Sequence, residues 1–259
     1  MTAPRLLAAT LAAFLALPLG AQEPEIARHH HASPIHRHHE HPMPENSGPS
    51  FSVTLGYDSR YASEGRDSLD GDGLLTSAFE ATWNDFLFGV WYGESPSNAY
   101  NELQLGLEYG IEIGPLEVHA SYTHLRFPHD GELDHELSAG VFIDSIPGGF
   151  QLGLDGTYSF DANGTFYELS LTRPFEPIEC LTFEPGVVFG ANDGYVADGH
   201  HGANHIALSL AALISITDNI ELSTYASYNF ALDSNPIIHG DDALLKDFFY
   251  AGAGITLSF

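Results

Sequence analysis

Histidine carries the first chemical signal in this chain. Seven of its fifteen histidines, His29, His30, His31, His36, His38, His39 and His41, crowd into residues 22–50 among Pro24, Pro34, Pro42, Pro44 and Pro49. Imidazoles at such spacing are the borderline ligands that zinc, nickel and copper prefer, while prolines and a shortage of apolar residues leave nothing to pack. Metal capture by a disordered tail and a merely solvated tail both fit this composition. A second set lies between Asn192 and His205, where Asp198, His201 and His205 could share a zinc or copper ion, with Asp193 and His200 beside them. His119-Ala120-Ser121 puts an imidazole and a hydroxyl on one face of a strand, the start of a nucleophilic pair without an evident orienting acid. His239 with Asp241-Asp242 is a similarly incomplete set. Asp67, Asp70 and Asp72, with Gly71 and Gly73, have part of a calcium loop and lack the rest. Asn163-Gly164-Thr165 matches a glycosylation acceptor and reads more simply as a hairpin turn.

These groups need a scaffold, and composition narrows the choice. The 259 residues carry 35 acidic against 8 basic side chains, a formal charge of −27. Phosphate backbones are bound by basic surfaces that displace counterions, so no nucleic-acid partner is expected. Cys180 is the single cysteine, which excludes a disulfide framework and a thiolate metal site. Arg5 followed by the apolar run Leu6–Leu19 and the small residues Gly20 and Ala21 reads as a secretory signal peptide over residues 1–21, too short for a spanning helix. No later window is apolar for long enough, so any membrane insertion must use strands.

From residue 51 to 259 the apolar residues alternate with period two. Leu103, Leu105, Leu107, Tyr109, Ile111 and Ile113 form one row, and Glu102, Gln104, Gly106, Glu108, Gly110 and Glu112 form the other. Twelve such segments follow one another, from Phe51/Val53/Leu55/Tyr57 to Phe249/Ala251/Ala253/Ile255/Leu257/Phe259. Tight links such as Asn84-Asp85 and Gly114-Pro115 alternate with long polar ones at 63–73, 192–203 and 232–246. The expected fold is therefore all-β: a transmembrane antiparallel up-and-down β-barrel of about twelve strands in the outer membrane of a Gram-negative bacterium, with both termini periplasmic. Alternation by itself also suits a water-soluble barrel whose apolar row points inward. Loop asymmetry, the tyrosines and Trp83 near segment ends, and the terminal Phe259 favour the membrane form. Phe259 is also the feature that barrel assembly machinery would read.

Several stretches resemble the TorF-like family of outer-membrane porins. They are Tyr57-Asp58-Ser59-Arg60-Tyr61 through Gly65, Phe88-Gly89-Val90-Trp91, the strand from Glu102 to Gly110, and Val118-His119-Ala120-Ser121-Tyr122-Thr123 ending at Phe127-Pro128. Members tend to have an aromatic-Arg-Gly step after the first strand. Here Ser63-Glu64-Gly65 takes its place, with Arg66 after it. The resemblance implies a porin barrel and no particular substrate.

If apolar rows face lipid, the opposite parity lines a lumen with Asp58, Glu80, Glu102, Glu108, Glu112, Glu117, Glu136, Asp155, Glu168, Glu184 and Glu221, opposed by Arg60. So many carboxylates cannot stay ionised in a dry interior, since an unpaired buried charge costs several kcal/mol. A water-filled pore or a plugged barrel with some protonated acids remains. The expected activity is passive, cation-preferring diffusion of small solutes, with no catalysis and no resident cofactor. A non-conducting binding barrel that handles divalent metal through its tail or loops is the alternative. A lipid-modifying enzyme is a third reading, although His119 and Ser121 share the charged parity rather than the lipid-facing one. Lipid and lipopolysaccharide are the expected surroundings, with Arg126 and Arg173 near strand ends where guanidinium meets phosphate.

Overall fold

The computed structural model describes residues 48–196 and 198–259; the leader and nearly all of the histidine-rich segment, with its seven histidines, lie outside the described residues. The alternating rows become β1 (Ser50–Asp58), β4 (Leu74–Trp83), β5 (Phe86–Glu94), β6 (Asn101–Ile113), β7 (Leu116–Phe127), β8 (Glu132–Ile146), β9 (Phe150–Ser159), β10 (Gly164–Thr172), β12 (Leu181–Asp193), β13 (Gly202–Thr217), β14 (Ile220–Ala231) and β15 (Phe248–Ser258). Each pairs antiparallel with its neighbours in chain order, and pairing of β1 with β15 and of β10 with β12 closes a twelve-stranded barrel. Three short strands stand apart from the ring. Two of them, β2 (Ala62–Ser63) and β3 (Arg66–Asp67), form a small ribbon. The third, β11 (Phe175–Ile178), lengthens β12 into a hairpin where the sequence suggested only a link.

Turn chemistry sets the strand boundaries. Asn84 and Asn163 adopt positive φ in tight turns, a conformation asparagine tolerates better than most residues, and Gly114 does the same between β6 and β7. The start of β1 and the end of β15 lie at one rim, where Phe51 and Phe259 exchange backbone hydrogen bonds of 3.0 and 2.9 Å. The connections 84–85, 114–115, 147–149 and 218–219 share that rim. The opposite, far rim bears loops 59–73, 194–201 and 232–247.

Alternation alone could not say which row faces inward, and the structure decides it. Leu55, on an apolar row, is 55% exposed on the outer wall, whereas Glu102, on the charged row, is 1% exposed inside. Leu107, Leu154, Leu208 and Ile255 join Leu55 outside. Aromatic residues ring both ends of this apolar wall: Trp83, Phe86 and Tyr109 toward the terminal rim, and Tyr122, Phe160 and Tyr167 toward the far rim. That distribution suits an interfacial belt.

Small residues let inward side chains meet across an intervening strand. An added Cβ on Gly140 of β8 would lie 2.6 Å from the His119 ring, because His119 of β7 reaches over it to Asp155 of β9. Gly106 is different, with open lumen in front of it.

This parity yields a paired test. Leu107→Arg should cost about 2–4 kcal/mol of barrel stability, the penalty for a charge facing mid-bilayer. Gly106→Arg, one residue away and facing the lumen, should refold nearly as well as the parent. Urea titration of refolding into vesicles, read by the heat-modifiable band, compares the two; the reverse ranking would invert the parity.

Candidate functional site

The lumen gathers the charged rows, and it has two tiers. The lower tier, toward the terminal rim, contains a cavity of roughly 230 Å³ lined by Thr54, Glu80, Trp91, Gln104, Glu108 and Ser121 among others. Glu80 accepts a hydrogen bond from Ser52 at 3.1 Å. Trp91 presents a buried indole N–H with no hydrogen-bond partner. Glu112, Glu117, Glu184 and Glu221 share the inward parity of this tier, and Glu112 and Glu117 stand opposite each other on β6 and β7.

In the upper tier the acids are held by donors. Glu102 accepts from Tyr100 at 2.5 Å, Gln104 at 3.1 Å and Tyr61 at 3.4 Å. Asp58 accepts from Tyr225 at 2.5 Å, and Glu136 from Tyr195. Asp155 meets His119 Nε2 at 2.9 Å, while Glu168 lies 3.9 Å from His205. The phenols and the His119 imidazole stabilise carboxylates that burial would otherwise penalise, while His205 lies beside Glu168 beyond hydrogen-bond length.

Above them the loops turn inward. Ala62 of the β2–β3 ribbon packs on lumen-facing Val188, Ala207, Phe248 and Tyr250. Arg66 follows it in, fully surrounded: its guanidinium meets Asp242 Oδ1 and Asn204 Oδ1 at 3.0 Å each and the Glu64 carbonyl at 3.2 Å. Asn204 and Asn229 donate back to the Glu64 and Gly65 carbonyls at 2.6 and 2.9 Å. From loop 194–201, His200 adds its Nδ1 to Asp242 at 3.2 Å, and Asn192 holds the His200 carbonyl at 2.7 Å. Asp67 is buried against Arg60 and Lys246, and Lys246 also reaches Asp70 at 2.5 Å. Three separate loops are thereby locked to one another and to the barrel wall.

The structure places the acids expected from the sequence on the inner face and brings further cations near them. Arg60 does not act alone, because Arg66 and Lys246 enter from the far-rim loops. The aspartates that hinted at calcium are engaged by the protein's own groups, Asp67 and Asp70 as above and Asp72 with Asn98. Asp198, His201 and His205 go separate ways: His201 pairs with Asp193 at 3.1 Å, His205 is buried beside Glu168, and the Asp198 amide donates to Asp241. Among the described residues no three His, Cys, Asp or Glu side chains gather as a metal cage. His119 does find an acid in Asp155, but Ser121 faces the cavity opposite Glu108 and makes no hydrogen bond to His119. Asn192, Asn204 and Asn229 were not singled out from the sequence. Their signal was polar amides at inward positions near the far ends of β12, β13 and β14.

Asp242 carries the lock. Burial raises its carboxyl, yet the Asn235 N–H, the His200 ring and the Arg66 charge outweigh that and hold it below the ordinary carboxylate value. A carboxyl depressed in the folded state stabilises that state above its unfolded pKa and loses the contribution as pH falls through the folded one. Hydrogen exchange of the Ser63–Asp67 amides should therefore stay slow at neutral pH and quicken only below about pH 4. Asp242→Ala, which strands the buried Arg66 charge, should weaken loop docking by about 3–5 kcal/mol at neutral pH. Unchanged protection in that variant would show that the pair does not hold the loop.

No family model matches this sequence, including any that would bear on the TorF-like resemblance, and no curated protein matches it. Solved structures do. The KdgM porin superposes with a TM-score of 0.56 at 8% identity, covering 80% of this chain and 99% of that one. The NanC porin gives 0.53 at 12%, covering 80% and 98%. LpxR from Salmonella typhimurium gives 0.50 at 13%, covering 80% and 99%. At these identities the likeness is one of fold, and the fold of this chain is a closed antiparallel barrel of the kind that porins have.

Proposed function

We propose that this protein is a porin-like passive channel of the Gram-negative outer membrane that prefers small cationic solutes and performs no catalysis. The acidic lower tier carries the reading: Glu80 and Glu108 flank a cavity in a closed barrel, with Glu112, Glu117, Glu184 and Glu221 at matching inward positions. A low-dielectric wall focuses this field, so cations concentrate in the lumen and anions are repelled. The cationic side chains Arg60, Arg66 and Lys246 are spent on Asp67, Asp70 and Asp242 near the far rim. One similar structure is of the KdgM porin with disordered oligogalacturonate, a polymer bearing carboxylates. A polyanion of that kind would meet like charge in this lumen. The far-rim loops would lie outside the cell and both termini in the periplasm.

The inward-turned loops also favour a second reading, a barrel that binds solutes without conducting. Planar-bilayer recording of the refolded protein under a salt gradient separates the two. The expected result is a steady current whose reversal potential marks cation preference, with Glu80→Gln/Glu108→Gln cutting the cation-to-anion permeability ratio several-fold. Anion preference overturns the selectivity, and silence from a heat-modifiable barrel moves the assignment to binding.

A further inference from the structure

The outer wall carries a cluster that the lumen does not explain. Tyr122, His124 and Arg126 of β7 occupy three successive lipid-facing positions near the far rim, interrupting an otherwise apolar row. Opposite them on β8, His135 stands between Leu133 and Leu137, two leucines exposed on the same wall. Register makes His124 and His135 direct cross-strand partners. Side chains so placed have Cβ atoms about 4.5–5.5 Å apart, and their rings can meet.

They do meet. The two ring centroids are 4.8 Å apart, and the two Nδ1 atoms approach to 3.4 Å. The Tyr122 hydroxyl lies 2.5 Å from His135 Nδ1 and its ring stacks on the His135 imidazole, holding that ring in place. Three donor atoms thus converge on the exposed wall. Two nitrogens bound to one tetrahedral zinc at about 2.0–2.1 Å would stand about 3.3–3.4 Å apart. The observed separation is that tetrahedral edge, formed by two neutral-type ligands on a rigid antiparallel pair. At 3.4 Å the two nitrogens are at the limit of a hydrogen bond, and the Tyr122 hydroxyl engages the His135 lone pair.

We propose that His124 and His135 form a chelating pair for a borderline divalent cation, Zn²⁺, Ni²⁺ or Cu²⁺, on the outer wall at the far-rim interface. The pair is separate from the acidic lumen and from the tail histidines, and it does not depend on channel activity. Its remaining coordination positions face outward, where water or an anionic group can complete them. Tyr122 holds the His135 ring by stacking on it, and its hydroxyl, hydrogen-bonded to the same Nδ1, gives up that lone pair when the cation binds.

The tail's seven histidines would dominate a simple binding titration, so the test must read the folded barrel. A cation held by two strands of the native sheet stabilises the folded state alone, and comparing the parent with variants at the pair, all carrying the same tail, cancels whatever the tail histidines contribute. The unfolding midpoint of full-length barrel in detergent, read by heat-modifiable migration, is compared with and without NiCl₂, using MgCl₂ as a control for charge screening. Saturating Ni²⁺ should raise the midpoint by about 5 °C and Mg²⁺ should not. The rise should vanish in His124→Ala/His135→Ala. If that double variant folds poorly, His124→Asn alone should abolish it. A rise that survives in these variants, or none in the parent, overturns the proposal.

Discussion

Hydrogen bonding of the main chain is the constraint on which the rest of this structure depends. An apolar outer wall offers no partner to a strand edge, and each unsatisfied peptide group in such surroundings costs several kcal/mol. Pairing β1 with β15 removes the last edge. Once the sheet is a ring, every strand has one face outside and one inside, and period two becomes a partition between two solvents. Everything chemical about the chain then follows from which residues fall on which side.

The inner side is where competing magnitudes matter. Acids there can be hydrated, neutralised or hydrogen-bonded, and the two tiers resolve the choice differently. Toward the far rim, tyrosines 61, 100, 195 and 225 and histidines 119 and 205 stand against five acids. Toward the terminal rim a cavity leaves Glu80 and Glu108 room for water. Arg66 could not be inserted among apolar groups on its own, since a stranded buried guanidinium would outweigh the packing of Ala62 beside it. It enters because Asp242 enters with it. Docking of loop 59–73 and of loop 232–247 is therefore one event rather than two.

Local pattern made much of this legible. The strand number, the acid lining and the aromatic belts all repeat within ten residues, so a reader of the sequence meets them directly. Inside and outside were interchangeable in that pattern, and only cues beyond alternation favoured the acids as the inner row. The loop lock was invisible for a different reason. Arg66 and Asp242 are 176 positions apart, in segments with no periodicity, and their meeting is set by ring closure bringing β1 and β15 side by side. The aspartates at 67, 70 and 72 looked like a cation loop because local spacing cannot reveal a lysine at 246. His124 and His135 did leave a trace, as imidazoles on rows that should be apolar, but their pairing needed the β7–β8 register.

Separating the tiers has a consequence for how such a barrel could work. In the proposed channel, selectivity set by the lower acids would act on any ion that reaches them and would be insensitive to how the loops are held. Access set by the upper lock depends on a few buried polar contacts whose net worth is small beside the barrel's own sheet. Release of the loops would then leave the strands and their charges in place. A chain that placed its basic residues in the lower tier would cancel its own field; by confining Arg60, Arg66 and Lys246 to the lock, this one keeps the field and uses its cations to bind the loops together.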